Sequence, residues 1–117
     1  MISKMQLNNI EKEIIKYFFS SKGILVEDNI FSSLNVSNRE LSGVGFLTDL
    51  ERSELLKIGE GNETYKFGDL GAKINTSIDT GYLIYVENGF VDAIEGYTYA
   101  DDWPDEISTI DIYFDQP

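Results

Sequence analysis

Short runs of alternating apolar and polar residues, one helical stripe near the N-terminus and an Asn-Gly pair between two such runs predict an α+β domain. The expected architecture is an N-terminal helix packed on the concave side of a curved, mostly antiparallel, mostly meandering sheet, with residues 1–117 forming a single domain. A chain of 117 residues removes roughly two-thirds of its unfolded surface from water on folding, so one core suffices without a disulfide or metal. Hydrophobic residues at 42% exclude disorder, and the longest strongly apolar run, Tyr82–Val86, is too short to span a bilayer.

The helix comes first. Ser3 followed by Gln6 has the spacing of a capping box, after which Leu7, Ile10, Ile14, Tyr17 and Phe18 recur at helical spacing. Ile15 and Phe19 widen that stripe, as suits a helix laid across a sheet, and Gly23 is the expected stop. A short helical turn around Asp28–Leu34 then leads into a strand at about Asn35. From Val44 the period is two, with Val44, Phe46, Thr48 and Leu50 on one face and Gly43, Gly45, Leu47 and Asp49 on the other. The two glycines leave bare backbone for a large side chain to cover.

Glu54–Ile58 and Glu63–Phe67 flank the turn-like Gly59-Glu60-Gly61-Asn62 and read as a hairpin. Leu70, Ala72, Ile74, Thr76 and Ile78 alternate with polar residues and read as one strand ending at Asp79-Thr80-Gly81. Asn88-Gly89 suits the positive φ of a type I′ turn, which pairs Glu87 with Phe90, Tyr85 with Asp92 and Leu83 with Ile94. Ile84, Val86, Val91 and Ala93 then share one face, and Leu83, Tyr85, Glu87, Phe90, Asp92 and Ile94 the other. Ile110, Ile112 and Phe114 mark a last strand.

Composition narrows the chemistry. With no His and no Cys, the chain lacks catalytic triads, imidazole acid–base work and zinc sites with nitrogen or sulfur ligands. Asp92 and Glu95, three apart on a strand, are expected on opposite faces and so form no acid–base pair. Asp101-Asp102-Trp103-Pro104-Asp105-Glu106 is rich in oxygen ligands but has neither the alternation nor the glycine of a calcium loop. No metal or other cofactor is expected. Trp103 is expected to be structural, its indole covering the Gly43 and Gly45 patch.

Charge is the strongest functional signal. The net charge is −12; residues 1–73 carry all nine Lys and Arg against eleven Asp and Glu, whereas residues 74–117 carry ten acids and no base. Such a segment repels nucleic acid and anionic membranes and steers a basic protein toward it. The candidate partner-binding residues are Tyr85, Asp92, Glu95 and Tyr99 of the hairpin, with Asp101, Asp102, Asp105 and Glu106 of the loop after it. The N-terminus lacks the basic start and unbroken apolar core of an export signal, so the cytoplasm is the expected compartment.

Residues 40–107 also carry a resemblance. Gly43-Val44-Gly45-Phe46-Leu47-Thr48-Asp49, Gly81-Tyr82-Leu83-Ile84-Tyr85-Val86, Asn88-Gly89, Glu95-Gly96-Tyr97-Thr98-Tyr99 and Trp103-Pro104 resemble small acidic bacterial immunity proteins encoded beside polymorphic toxins. Those of contact-dependent growth inhibition systems are the named example; the helix and final strand lie outside the resemblance. It implies a cytoplasmic, non-catalytic protein that binds the toxin domain of its own locus, often a basic nuclease, and occludes its active site. No catalytic residue carries over, and Gly96 and Trp103 are implied to be scaffold. The alternative is a non-catalytic scaffold or accessory interaction domain with no toxin partner.

Overall fold

The computed structural model describes residues 5–58 and 61–114. The single α-helix among the described residues, α1 (Asn9–Ser21), begins where Asn8 can cap it. The Asn8 side chain accepts the Glu11 N–H at 3.0 Å, and the Glu11 carboxylate accepts the Asn8 N–H at 2.8 Å. This reciprocal box stands several residues after the expected one, whose Ser3 lies outside the described residues. Leu7 is buried but precedes the helix, and Ile10, Ile14, Ile15, Phe18 and Phe19 line the buried stripe. Gly23, at φ +78°, ends it: its N–H donates to Ser20 O at 3.0 Å and that of Ile24 to Phe19 O at 2.9 Å, the paired bonds of a Schellman stop.

A short 3-10 turn, Asp28–Ser33, plugs Phe31 into the core and leads to β1 (Val36–Ser42), as the sequence suggests. β2 (Gly45–Leu50) follows with Phe46, Thr48 and Leu50 buried on the helix side, while Val44 falls in the connecting turn. The remaining strands are β3 (Tyr65–Ile74), β4 (Ile78–Glu87), β5 (Phe90–Thr98) and β6 (Ile110–Phe114). All pairings are antiparallel, and the order across the six-stranded sheet is β1-β2-β5-β4-β3-β6. The fold is therefore α+β: one helix on one face of an open antiparallel sheet. Only β3-β4-β5 run as a meander; β2 joins the far side of β5, and β6 returns beside β3.

Three expectations along the sheet need correcting. Glu54–Ile58 is no hairpin arm: Glu54–Leu56 is a 3-10 turn whose Leu55 N–H is taken by Ser53 Oγ, and its Leu56 is a core plug. The expected hairpin loop contains Gly59 and Glu60, which lie outside the described residues. The expected strand from Leu70 to Ile78 breaks at Asn75, where Asn75 (φ +50°) and Thr76 (φ +67°) turn the chain. Conversely Asp79-Thr80-Gly81, read as a turn, is the start of β4, and the wholly buried Thr80 hydroxyl bonds Ala72 O at 2.8 Å and Tyr82 Oη at 2.8 Å. Polar residues here serve strand-to-strand contacts, so polarity alone misplaces the turn.

The third correction concerns register. Asn88 (φ +53°) and Gly89 (φ +84°) form the expected turn, and Glu87 faces Phe90. Past Val86 a β-bulge adds one residue to β5, so Tyr85 faces Ala93 and Leu83 faces Glu95 rather than Asp92 and Ile94. The slip moves Ile94 into the core opposite Ile84, where both are fully buried. Without it Ile94 would sit on the uncovered face.

One buried polar knot ties the helix to the sheet. Glu11 is wholly buried and accepts from Arg39 Nε (2.8 Å), Arg39 Nη2 (2.6 Å) and Thr48 Oγ1 (2.5 Å), besides its capping bond. Buried charge is tolerable only when compensated to this degree. It fixes α1 across β1 and β2.

Candidate functional site

The face of the sheet opposite α1 holds the distinctive chemistry, and β-pairing assembles it. In register across five strands lie Gly45 of β2, Tyr97 of β5, Gly81 of β4, Gly71 of β3 and Tyr113 of β6. Each glycine omits a side chain on this face; tyrosine rings occupy the space at Gly81 and Gly71, and β5 backbone at Gly96 fills it at Gly45. A Cβ on Gly81 would lie 2.6 Å from Tyr97 Oη and 2.7 Å from Tyr99 Oη; one on Gly71 would lie 2.8 Å from the Tyr113 ring. Tyr97 and Tyr99 meet edge to face, with centroids 5.5 Å apart at 84°. Tyr99 is 57% exposed and Tyr113 38% exposed, so this packed aromatic platform also presents itself to solvent.

The adjoining row is charged. The Tyr99 N–H donates to Asp79 O at 3.4 Å, and Asp79, Lys73 and Asp111 follow in register on β4, β3 and β6. Lys73 Nζ lies 3.6 Å from the Asp79 carboxylate, so one cation stands between two acids.

Toward the other end of the sheet, Tyr85 donates its hydroxyl to Glu95 at 2.6 Å. That bond to a carboxylate, helped by partial burial, pushes the Tyr85 phenol up to about 12. Asp92 lines a shallow pocket of about 430 Å³ together with Lys66, Tyr85 and Glu87. Partial burial first, and then the Glu87 carboxylate, raise the Asp92 carboxyl above its ordinary value, against the pull of Arg52. Asp92 and Glu95 thus both neighbour Tyr85, contrary to the expectation of opposite faces. The bulge breaks the strict alternation on which that expectation rests.

The acidic loop runs from this face over the end of the sheet to the helix side. Asp101, Asp102, Asp105 and Glu106 are all exposed. The Thr98 hydroxyl bonds Asp101 O, and the Trp103 N–H donates to Gly43 O at 2.9 Å. Asn75 holds the far end, donating to Glu106 O at 2.8 Å and accepting the Ser108 N–H at 2.7 Å. The Trp103 indole packs edge-on against Phe46, with centroids 5.2 Å apart. It is a scaffold contact, but its target differs from the expected glycine patch: the space above Gly45 is filled by β5 backbone at Gly96, and Trp103 reaches Gly43 only through its own N–H.

A cleft of about 560 Å³ opens beside that loop, between Asn9, Arg39, Leu41, Phe46, Trp103 and Asp105. Asp105 is the one carboxylate lining it among the described residues, so no acid–base pair converges there. Among the described residues, no three Asp or Glu gather as a metal site, and no helix is long and apolar enough to cross a membrane.

The eight sequence-predicted residues therefore divide. Tyr85, Asp92, Glu95 and Tyr99 belong to the uncovered face; Asp101 and Asp102 lie along its end, and Asp105 and Glu106 on the descending loop. Sequence reasoning reads Gly81 as a turn residue and Gly71 and Tyr113 only as steps in strand alternation, and of the same-face pair Tyr97 and Tyr99 it counts Tyr99 alone as partner-binding. The available signal is that two glycines and two tyrosines all fall at outward positions of alternating strands. No protein-family model matches the chain, and no curated protein or solved structure matches it either.

Proposed function

We propose that this protein is an immunity protein, which binds a basic toxin domain encoded at the same locus, a nuclease by preference, and neutralises it in the cytoplasm by covering its active site. The observation that carries this reading is the uncovered sheet face, where the exposed Tyr99 and Tyr113 and the half-buried Tyr97 and Tyr85 stand among Asp79, Glu87, Asp92, Glu95 and Asp111, with Lys66 and Lys73 interspersed. Rigid amphipathic rings supply contact area at low entropic cost, and an excess of carboxylates selects and steers a cationic partner. A nuclease presents such a basic surface where it grips the phosphate backbone, so an acidic face seated there displaces nucleic acid. The absence of His and Cys and the resemblance over residues 40–107 add support.

The test is co-expression with the toxin domain encoded directly upstream, alongside a binding measurement on the purified pair. Protection and a stable complex are expected; failure of both sinks the reading and leaves an accessory interaction domain in its place. Association is expected to slow markedly as salt rises toward ~0.5 M, because steering by exposed charge is screened within a Debye length of several Å.

A further inference from the structure

We propose that the tyrosine platform over Gly71 and Gly81, and not the acidic loop, is where arginine side chains of the basic partner dock. This rests on the reading of the partner as a basic protein and says which surface discriminates it and by what chemistry.

Three observations converge. The rings are already ordered: Tyr97 and Tyr113 lie in the spaces left by Gly81 and Gly71, and Tyr99 is set against Tyr97, so little rotamer freedom remains to be lost on binding. Carboxylates adjoin the rings in register, with Asp79 beside Tyr99 and Asp111 two residues along β6 from Tyr113, on the same face. Lys73 answers only one of these two acids. A guanidinium matches the combination, because its flat face stacks on an aromatic ring while its edge donates to a carboxylate; an ammonium offers charge without the plane. The acidic loop lacks the aromatic half of this pattern, since its tryptophan is turned onto Phe46. Its acids supply long-range attraction, which does not distinguish Arg from Lys.

The experiment compares titrations of the full chain at low salt with an all-arginine and an all-lysine nonapeptide. The arginine peptide is expected to bind about 3–10-fold more tightly. Tyr99→Ala, which removes the most exposed ring, and Gly81→Ala, which lifts Tyr97 and Tyr99 without deleting either, should both bring that ratio close to one. The combined variant Asp101→Asn, Asp102→Asn, Asp105→Asn, Glu106→Gln should weaken both peptides together and keep the ratio. An arginine preference that survives both platform variants, or disappears in the loop variant alone, overturns the assignment, as does equal binding of the two peptides. Failure of both peptides to bind wild type at all instead counts against the basic partner itself. Thermal melts of each variant confirm that a lost ratio reports the surface and not the fold.

Discussion

Glycine-to-alanine substitutions at Gly81, Gly96 and Gly45 should separate the platform from the core by their cost. On the helix side, a Cβ on Gly96 would lie 2.5 Å from a Phe46 ring carbon and 2.9 Å from a Tyr82 ring carbon. Neither ring can retreat: Phe46 is backed by Trp103, and Tyr82 is fully buried with its hydroxyl bonded to Thr80. The added methyl overpacks the core, at a cost of about 1–3 kcal/mol. The atoms nearest a Cβ on Gly81 are the hydroxyl ends of Tyr97 and Tyr99 and the adjoining Tyr97 ring carbon, side-chain atoms on the solvent face that can be displaced outward at the expense of their mutual packing. That forfeits an aromatic contact of about 0.5–1.5 kcal/mol. Alanine's smaller unfolded-state entropy returns about 0.4–1 kcal/mol in both variants and cancels in their difference. Gly96→Ala should therefore be the costlier by roughly 1 kcal/mol, or about 0.5 M in urea midpoint at an m-value of ~2 kcal/mol/M. Gly45→Ala should be worst, because its Cβ would run into the Gly96 carbonyl, backbone that cannot rotate away. Urea unfolding monitored by circular dichroism gives the ordering. A Gly81→Ala cost equal to that of Gly96→Ala would refute the reasoning, since it would mean that the outer tyrosines are packed as immovably as the core.

The buried knot gives a larger effect. Glu11→Ala leaves the Arg39 cation and the buried Thr48 hydroxyl without their acceptor and should destabilise by about 3–5 kcal/mol, whereas Glu11→Met combined with Arg39→Met and Thr48→Val, which removes every partner of the knot's carboxylate outside the helix cap, should recover most of that loss in the same urea assay. Asn75→Ala loses the bonds to Glu106 and Ser108 and strains a φ of +50°, for about 1–3 kcal/mol; Asn75→Gly should recover the strain but not the loop anchoring, as hydrogen exchange of the Ser108 amide would report. Alkaline pH should also destabilise the fold. The folded state holds the Tyr82 and Tyr85 phenols at about 12, against 10 when free, so it favours their neutral forms. The contribution of these two phenols should be constant below pH 10 and be lost as pH rises toward 12; Tyr85→Phe should reduce that alkaline slope, and a slope unchanged in the variant would contradict the Tyr85–Glu95 bond.

Much of the fold is legible because it follows from short-range rules. The stripe from Ile10 to Phe19, the stop at Gly23, the Asn88-Gly89 turn and the alternation of Phe46, Thr48 and Leu50 each depend on residues within one or two turns of chain. The errors arise where one residue type can satisfy two local geometries. Asn75 and Thr76 continue a strand's alternation, yet the chain turns there because Asn75 tolerates the left-handed region and has the 106–108 backbone to bond. Asp79-Thr80-Gly81 reads as a turn, yet Thr80 is buried by bonding to strand neighbours and Gly81 by lying beneath a tyrosine. The first choice is settled by partners about thirty residues away, the second by Ala72 across the β3–β4 pair and Tyr97 on β5.

The same physics explains why the candidate site is harder to see than the fold. Its components come from β3, β4, β5 and β6, and they meet only at the correct register; the bulge opposite Tyr85 and Val86 shifts that register by one, exchanging Ile94 for Ala93 on the uncovered face and bringing Glu95 to Tyr85. A uniform two-residue alternation cannot contain this step, so it separates Asp92 from Glu95 and leaves Gly71, Gly81 and Tyr113 unconnected. Net charge needs no register, which is why the acidic segment stands out first and draws attention to Asp101–Glu106. Charge alone, though, makes a partner approach without fixing where it sits. Docking requires a shaped, pre-ordered surface, and that is where glycines opposite tyrosines differ from a run of exposed acids: they set rings against the sheet at defined positions beside Asp79 and Asp111. The loop acids then serve encounter and the platform serves recognition, so salt should act mainly on the association rate, and Tyr99→Ala mainly on dissociation.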